Sequence, residues 1–142
     1  MTANWTVTGA AMNVNRRVLG MVALPPGCSN HGTVLCIGGL GEEGTQLPSC
    51  EIYSQISLKW TVCAPMSAGR YGHGACTLSD GRVVVIGGER SEGSPGVDKA
   101  EIYTPADDVW VLKDYIGAAT IGTVLKPNHS PSLPLPFVVW HY

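Results

Sequence analysis

Two stretches of this chain repeat each other at a spacing near fifty residues, and no other feature restricts the fold as much. Val34-Leu35-Cys36-Ile37-Gly38-Gly39 returns as Val83-Val84-Val85-Ile86-Gly87-Gly88, Glu51-Ile52-Tyr53 returns as Glu101-Ile102-Tyr103, and Trp60-Thr61 returns as Trp110-Val111. The double glycines lie 49 residues apart, and both the acid-aliphatic-tyrosine triplets and the tryptophans lie 50 apart. A period of this size marks a supersecondary unit that buries its apolar face against a copy of itself.

Composition decides what kind of unit this is. Only 14% of the 142 residues are charged, 44% are hydrophobic and 18 are glycine, which favours many short strands joined by tight turns. The second unit reads most cleanly. A short strand runs from His73 to Leu78, Ser79-Asp80-Gly81 makes a turn, and Arg82 to Ile86 forms a β-branched strand closed by Gly87-Gly88. A loop from Glu89 to Asp98 leads to a third strand, Ala100 to Tyr103. Thr104 to Asp108 turns the chain into a fourth strand, Val109 to Lys113. The sequence is therefore expected to be all-β, with two four-stranded antiparallel units.

The first unit follows the same plan with five extra residues. Arg16 and Arg70, like Leu24 and Leu78, stand 54 apart, whereas Gly32 and Gly81 stand 49 apart, so the insertion falls in Pro25 to His31, at a hairpin tip. Trp5-Thr6-Val7 followed by Ala10-Ala11-Met12 resembles Trp60-Thr61-Val62 followed by Ala64-Pro65-Met66. On this pattern the chain is expected to start mid-repeat, on the last strand of a preceding unit. The expected division is a repeat region over 1–113, with units at about 5–60 and 61–113, followed by a non-repeat tail over 114–142. In that tail Pro127, Pro131, Pro134 and Pro136 crowd a segment without arginine or double glycine.

Several function classes are unsupported. The net charge is −2 and the nine basic residues are scattered, so a phosphate-tracking surface for nucleic acid is not expected. No leader pattern opens the chain and no long apolar run crosses it, which predicts a soluble, cytoplasmic protein without a membrane segment. The five cysteines, at 28, 36, 50, 63 and 76, include no C-x-x-C pair and read as buried strand thiols. No metal site is expected. Gly39-Leu40-Gly41-Glu42-Glu43-Gly44 spells a dinucleotide-binding pattern, but it leads into a proline-containing strand approach rather than a helix, and its two glutamates would repel phosphate. No cofactor and no catalytic residue are therefore assigned.

The signature resembles the kelch motif, in which an arginine and a histidine precede a first strand, an apolar strand closes on Gly-Gly, and a tyrosine and a tryptophan follow at fixed spacing. Arg70, His73, Gly87, Gly88, Tyr103 and Trp110 match in the second unit, and Arg16, Gly38, Gly39, Tyr53 and Trp60 in the first, where Leu19 replaces the histidine. The resemblance implies two blades of a β-propeller forming an incomplete ring. It also implies a non-catalytic adaptor, of the kind that recognises substrates for ubiquitin ligases beside BTB-type or F-box-type domains. In such adaptors arginines near the first strand grip acidic peptides at the channel mouth, a task suited to the planar guanidinium fork.

The candidate partner-binding residues are accordingly Arg16, Arg70, Tyr71, His73 and Arg90, together with loops 40–49 and 89–98. For Arg16 and Arg70 a bridge between adjacent blades is the competing reading. For His73 the favoured reading is a structural hydrogen bond to a neighbouring blade. The expected partner is a protein, in particular an acidic peptide, with self-association as a way to supply missing blades. Two further readings remain open: a fragment of a propeller enzyme of the carbohydrate oxidase or sugar epimerase type, and a truncated product without a function of its own.

Overall fold

A computed structural model describes residues 9–26, 32–90 and 99–113. The expected orphan strand around Trp5, the tip of the long hairpin, most of the 89–98 loop and the 114–142 tail lie outside the described residues. Eight strands form two sheets. The first contains β1 (Gly20–Ala23), β2 (Gly32–Ile37), β3 (Cys50–Ser54) and β4 (Lys59–Cys63), in the order β1-β2-β3-β4. The second contains β5 (Gly74–Thr77), β6 (Val83–Ile86), β7 (Ala100–Thr104) and β8 (Val109–Lys113), in the order β5-β6-β7-β8. All neighbours pair antiparallel. The described residues thus make two four-stranded blades and no closed ring, as the repeat reading expected.

Local sequence accounts for the strands. β6 is four β-branched residues in a row, well suited to a pleated surface covered on both sides. In both units the second strand is enclosed on both faces: Leu35, Cys36, Ile37, Val83, Val84 and Val85 are all buried. The last strands lie at the sheet margins, and β8 leaves Val109, Val111 and Leu112 a little under half exposed. Tyr53 and Trp60 face each other across β3 and β4 with ring centroids 5.1 Å apart, and Tyr103 and Trp110 repeat that pair at 4.9 Å.

The two blades share one core, which includes Leu35, Ile37, Cys50, Met66, Val83, Val85 and Tyr103. Burying each aliphatic side chain of this kind contributes about 1.5–3 kcal/mol. Polar contacts align the blades. The Trp110 indole N–H donates to the Ala64 carbonyl at 2.8 Å, the Ala64 N–H donates to Asp108 Oδ1 at 2.8 Å, and the Thr77 hydroxyl donates to the Ala23 carbonyl at 2.6 Å. The first two bonds fasten the second blade to the segment by which the chain leaves the first, and the third joins β5 to β1.

Candidate functional site

The double glycines shape one end of each blade. Gly38, Gly39, Gly87 and Gly88 all have positive φ, and the crowding around the second glycine of each pair explains its identity. A Cβ on Gly39 would lie 2.6 Å from the Arg17 carbonyl oxygen, and one on Gly88 would lie 2.7 Å from that of Tyr71. Without those carbons the backbones close into matched two-way bridges. Arg17 and Leu40 exchange N–H···O bonds of 2.9 and 2.7 Å, and Tyr71 and Glu89 exchange bonds of 3.1 and 2.9 Å. The bridges recur in both units although their side chains differ completely.

Loop 40–49 is folded on itself. Gly41 N–H donates to the Thr45 carbonyl, Thr45 N–H to that of Glu42 and Leu47 N–H to that of Gly39, around a three-residue 3-10 turn, Glu42–Gly44. The next element after this turn is the strand β3. A cleft of about 490 Å³ lies between this turn and the approach to β1, lined in part by Met12, Asn13, Glu42, Thr45 and Leu47.

Beneath the bridges each blade holds one enclosed ion pair. Arg16 Nη2 meets Glu51 Oε1 at 2.7 Å, and Arg70 Nη2 meets Glu101 Oε1 at 2.5 Å, with side chains at most 1% exposed. Each guanidinium also donates to two main-chain carbonyls, Gly38 and Ser49 for Arg16, and Gly87 and Lys99 for Arg70. The carboxylates collect further donors: Asn13 and Val14 bond to Glu51, and Ser67 N–H bonds to Glu101. Burial opposes the charge on Glu51, but the bonds from Asn13, Arg16 and Val14 outweigh it and hold its carboxyl below the ordinary value. At Arg70 burial dominates and lowers the guanidinium below its usual value, while Glu101 pulls it back up.

The comparisons with known proteins agree with this geometry. A family model for the kelch motif matches residues 23–67, which run from the end of β1 through β4 to the joint. Kelch-like protein 34 from Homo sapiens is 30% identical over 92 residues, covering 63% of this chain and 14% of that protein. Kelch-like protein 15 from Danio rerio is 30% identical, and that from Mus musculus 33%, each over 61% of this chain. The first unit matches the kelch motif, and the second repeats its signature residues. The chain spans about 14–15% of the length of these curated relatives, and their whole-protein activities are not thereby its own.

Within the two units the expected site residues separate into two groups. Tyr71 is half-buried and its hydroxyl donates to Glu89 Oε2 at 2.7 Å, while Arg90 is exposed beside it. Arg16 and Arg70 are enclosed and paired with Glu51 and Glu101, so the expectation that they grip an acidic peptide is corrected: both terminal nitrogens of each guanidinium bond inside the blade, and the Nε of each, though without a hydrogen-bond partner, is buried. The competing idea of a bridge between blades holds for the Arg70 main chain, whose carbonyl accepts from Gly39 N–H at 2.9 Å, but not for its side chain, which ties its own blade.

His73 also departs from expectation. Its ring packs across the joint against Gly20, but neither ring nitrogen makes a hydrogen bond of ordinary geometry. Burial, followed by the nearby Arg70 charge, lowers its pKa to about 4 against an opposing contribution from the Arg70 backbone, so the ring is neutral near pH 7. Its contact is apolar, which explains why Leu19 serves at the same place in the first unit.

Sequence reasoning missed Glu51, Glu101, Asp108 and Arg17. The signal for the glutamates was available: each recurs at the same interval as its tyrosine, and a repeating acid alongside a repeating arginine is the pattern of a repeated clip. Among the described residues, no group of three histidine, cysteine or acidic side chains could hold a metal ion, and no helix is long and apolar enough to cross a membrane.

Proposed function

We propose that this chain is a non-catalytic protein-binding module whose partner rests on the rim made by the Arg17–Leu40 and Tyr71–Glu89 bridges and the adjoining cleft. The observation that carries this reading is the contrast between a repeated backbone bridge and unlike side chains: the same two-way antiparallel bridge recurs in both units, yet one presents Arg17 and Leu40 and the other Tyr71 and Glu89. Fixed scaffold with variable loops is how binding surfaces are commonly built. Arg17 and Arg90 stand exposed among exposed Glu42, Glu43 and Glu89, which favours a partner of mixed charge over a purely acidic peptide. A role as the substrate-recognising part of a cytoplasmic ubiquitin-ligase adaptor fits such a module, given the kelch-like relatives.

The test is selection of binding peptides from a displayed library against the folded chain. The double variant Tyr71→Ala/Arg90→Ala is expected to weaken the selected peptides at least about tenfold, in line with loss of interface side chains worth 1 kcal/mol or more each. Unchanged affinity in the folded double variant would refute the assignment.

A second reading, self-association, is supported by one asymmetry. A Cβ on Gly38 would meet the Arg70 carbonyl and the Met66 methyl of the next unit, whereas Gly87, its counterpart, has nothing within 4 Å among the described residues. We read the Gly87 face as a seat for another kelch unit, supplied by a second copy in the isolated chain. Light scattering tests this: assembly supports it, and a monomer at high concentration refutes it.

A further inference from the structure

Cys50 and Cys63 occupy directly opposed positions at the ends of β3 and β4. Opposed residues of an antiparallel pair project to the same face with Cβ atoms about 4.5–5.5 Å apart, and their Cα spacing of about 4.5 or 5.5 Å falls within the range a disulfide spans. Both are free thiols, and both belong to the core where the blades meet. We infer that Cys50 and Cys63 form a latent redox pair that closes into a cross-strand disulfide and clamps the joint between the two kelch units.

The internal repeat supplies the control. In the second blade the equivalent positions are Ala100 and Lys113, also opposed, so the kelch scaffold has no need of cysteine at either place. Cys36 cannot compete for Cys50, because it neighbours Ile37, the residue opposite Cys50, and therefore lies on the other face of the sheet. Cys76 sits in the other blade, opposite Val84.

The position also gives the bond a consequence. Cys63 precedes Ala64, whose N–H and carbonyl hold Asp108 and Trp110 of the second blade. The thiol itself interacts with the Tyr103 hydroxyl. Oxidation would draw the Cys63 sulfur toward Cys50 and pin the end of β4 at the point where the chain crosses between blades.

With a peroxide as oxidant the step balances. Two S–H bonds and the O–O bond break, one S–S bond and two O–H bonds form, the sulfurs are oxidised, the peroxide oxygens are reduced, and two waters leave. Burial first, then the neighbouring Cys63, raises the Cys50 thiol to about 12, and burial raises Cys63 to about 11. The thiolate is the attacking species, so closure is slow and follows sustained rather than brief oxidation.

The test uses the full chain, held folded with excess hydrogen peroxide in mildly alkaline buffer, then alkylated, denatured and cleaved at lysine, arginine and glutamate. The expected product is a linked pair of peptides, 44–51 and 60–70, lighter by two hydrogens than the separate pair and parted by a reducing agent. Loop closure over these residues should raise the melting midpoint by about 5–10 °C. Cys50→Ala and Cys63→Ala should each show neither effect. Recovery of both cysteines as free thiols, as separate sulfinic acids or in bonds to other cysteines would overturn the inference. Because the parent protein carries the peptide map, the result stands even if a variant folds poorly.

Discussion

The imidazole of His73 lies over Gly20 of the preceding blade, so closely that a Cβ on that glycine would stand 2.5 Å from Nε2. A neutral ring fits this contact and a charged one does not. Its pKa falls from 6.5 to about 4 on folding, so the unfolded chain binds the proton first as pH drops. The contribution is fully present above about pH 6.5 and is lost as pH falls toward 4. Across that window we expect a loss on the order of 3 kcal/mol. His73→Leu, which copies Leu19, should abolish this part of the slope. Urea titrations of both proteins across the window check it, and equal slopes would contradict it.

Arg70 and Glu101 serve the scaffold together. Arg70→Met leaves a buried carboxylate without its cation and should cost about 3–5 kcal/mol. Adding Glu101→Gln removes the stranded charge while keeping an acceptor for Ser67, and should recover at least half of the loss. Denaturant midpoints of the two variants decide the matter; an Arg70→Met protein as stable as its parent would show that the pair contributes nothing.

Much of the fold was legible from sequence because the signals are local. The β-branched runs, the Gly-Gly closures and the turns fix each strand, and the structure keeps the offsets of 54, 49 and 50 residues between equivalent strands. The site was less legible. An arginine ahead of the first strand reveals which end of the blade it occupies, but not whether the side chain points outward or inward. That depends on Glu51 and Glu101, which lie 35 and 31 residues away in sequence. The His73 contact crosses 53 residues, and its apolar character becomes visible only once Gly20 is placed beneath it.

Leu58 stands where the second unit has Asp108, and both have positive φ, 56° and 52°. Aspartate tolerates that conformation better than leucine, and Asp108 also accepts from the Tyr103 hydroxyl at 2.7 Å. Leu58 is 47% exposed, so little burial would be lost on replacing it. Leu58→Asp is therefore expected to stabilise the chain by about 1 kcal/mol through a bond to Tyr53. Tyr53→Phe in the same background should remove that gain in a thermal melt.

Val18 is a β-branched residue at φ 52°, where the second unit has Gly72 at 63°. Val18 is half exposed and its side chain gains little from packing. Val18→Gly should stabilise by about 0.5–1 kcal/mol, and Gly72→Val, which meets no atom within 4 Å, should destabilise by about 1–2 kcal/mol through backbone strain alone. Opposite signs in paired urea titrations are the expected result.

The rim itself is tested most directly by amide hydrogen exchange of the folded chain with and without a selected peptide. Binding on the proposed surface predicts added protection at Arg17, Val18, Leu40 to Gln46, Tyr71, Gly72, Glu89 and Arg90, with β8 unchanged. Protection confined to Val109–Lys113, with the bridge residues unaffected, would contradict the account.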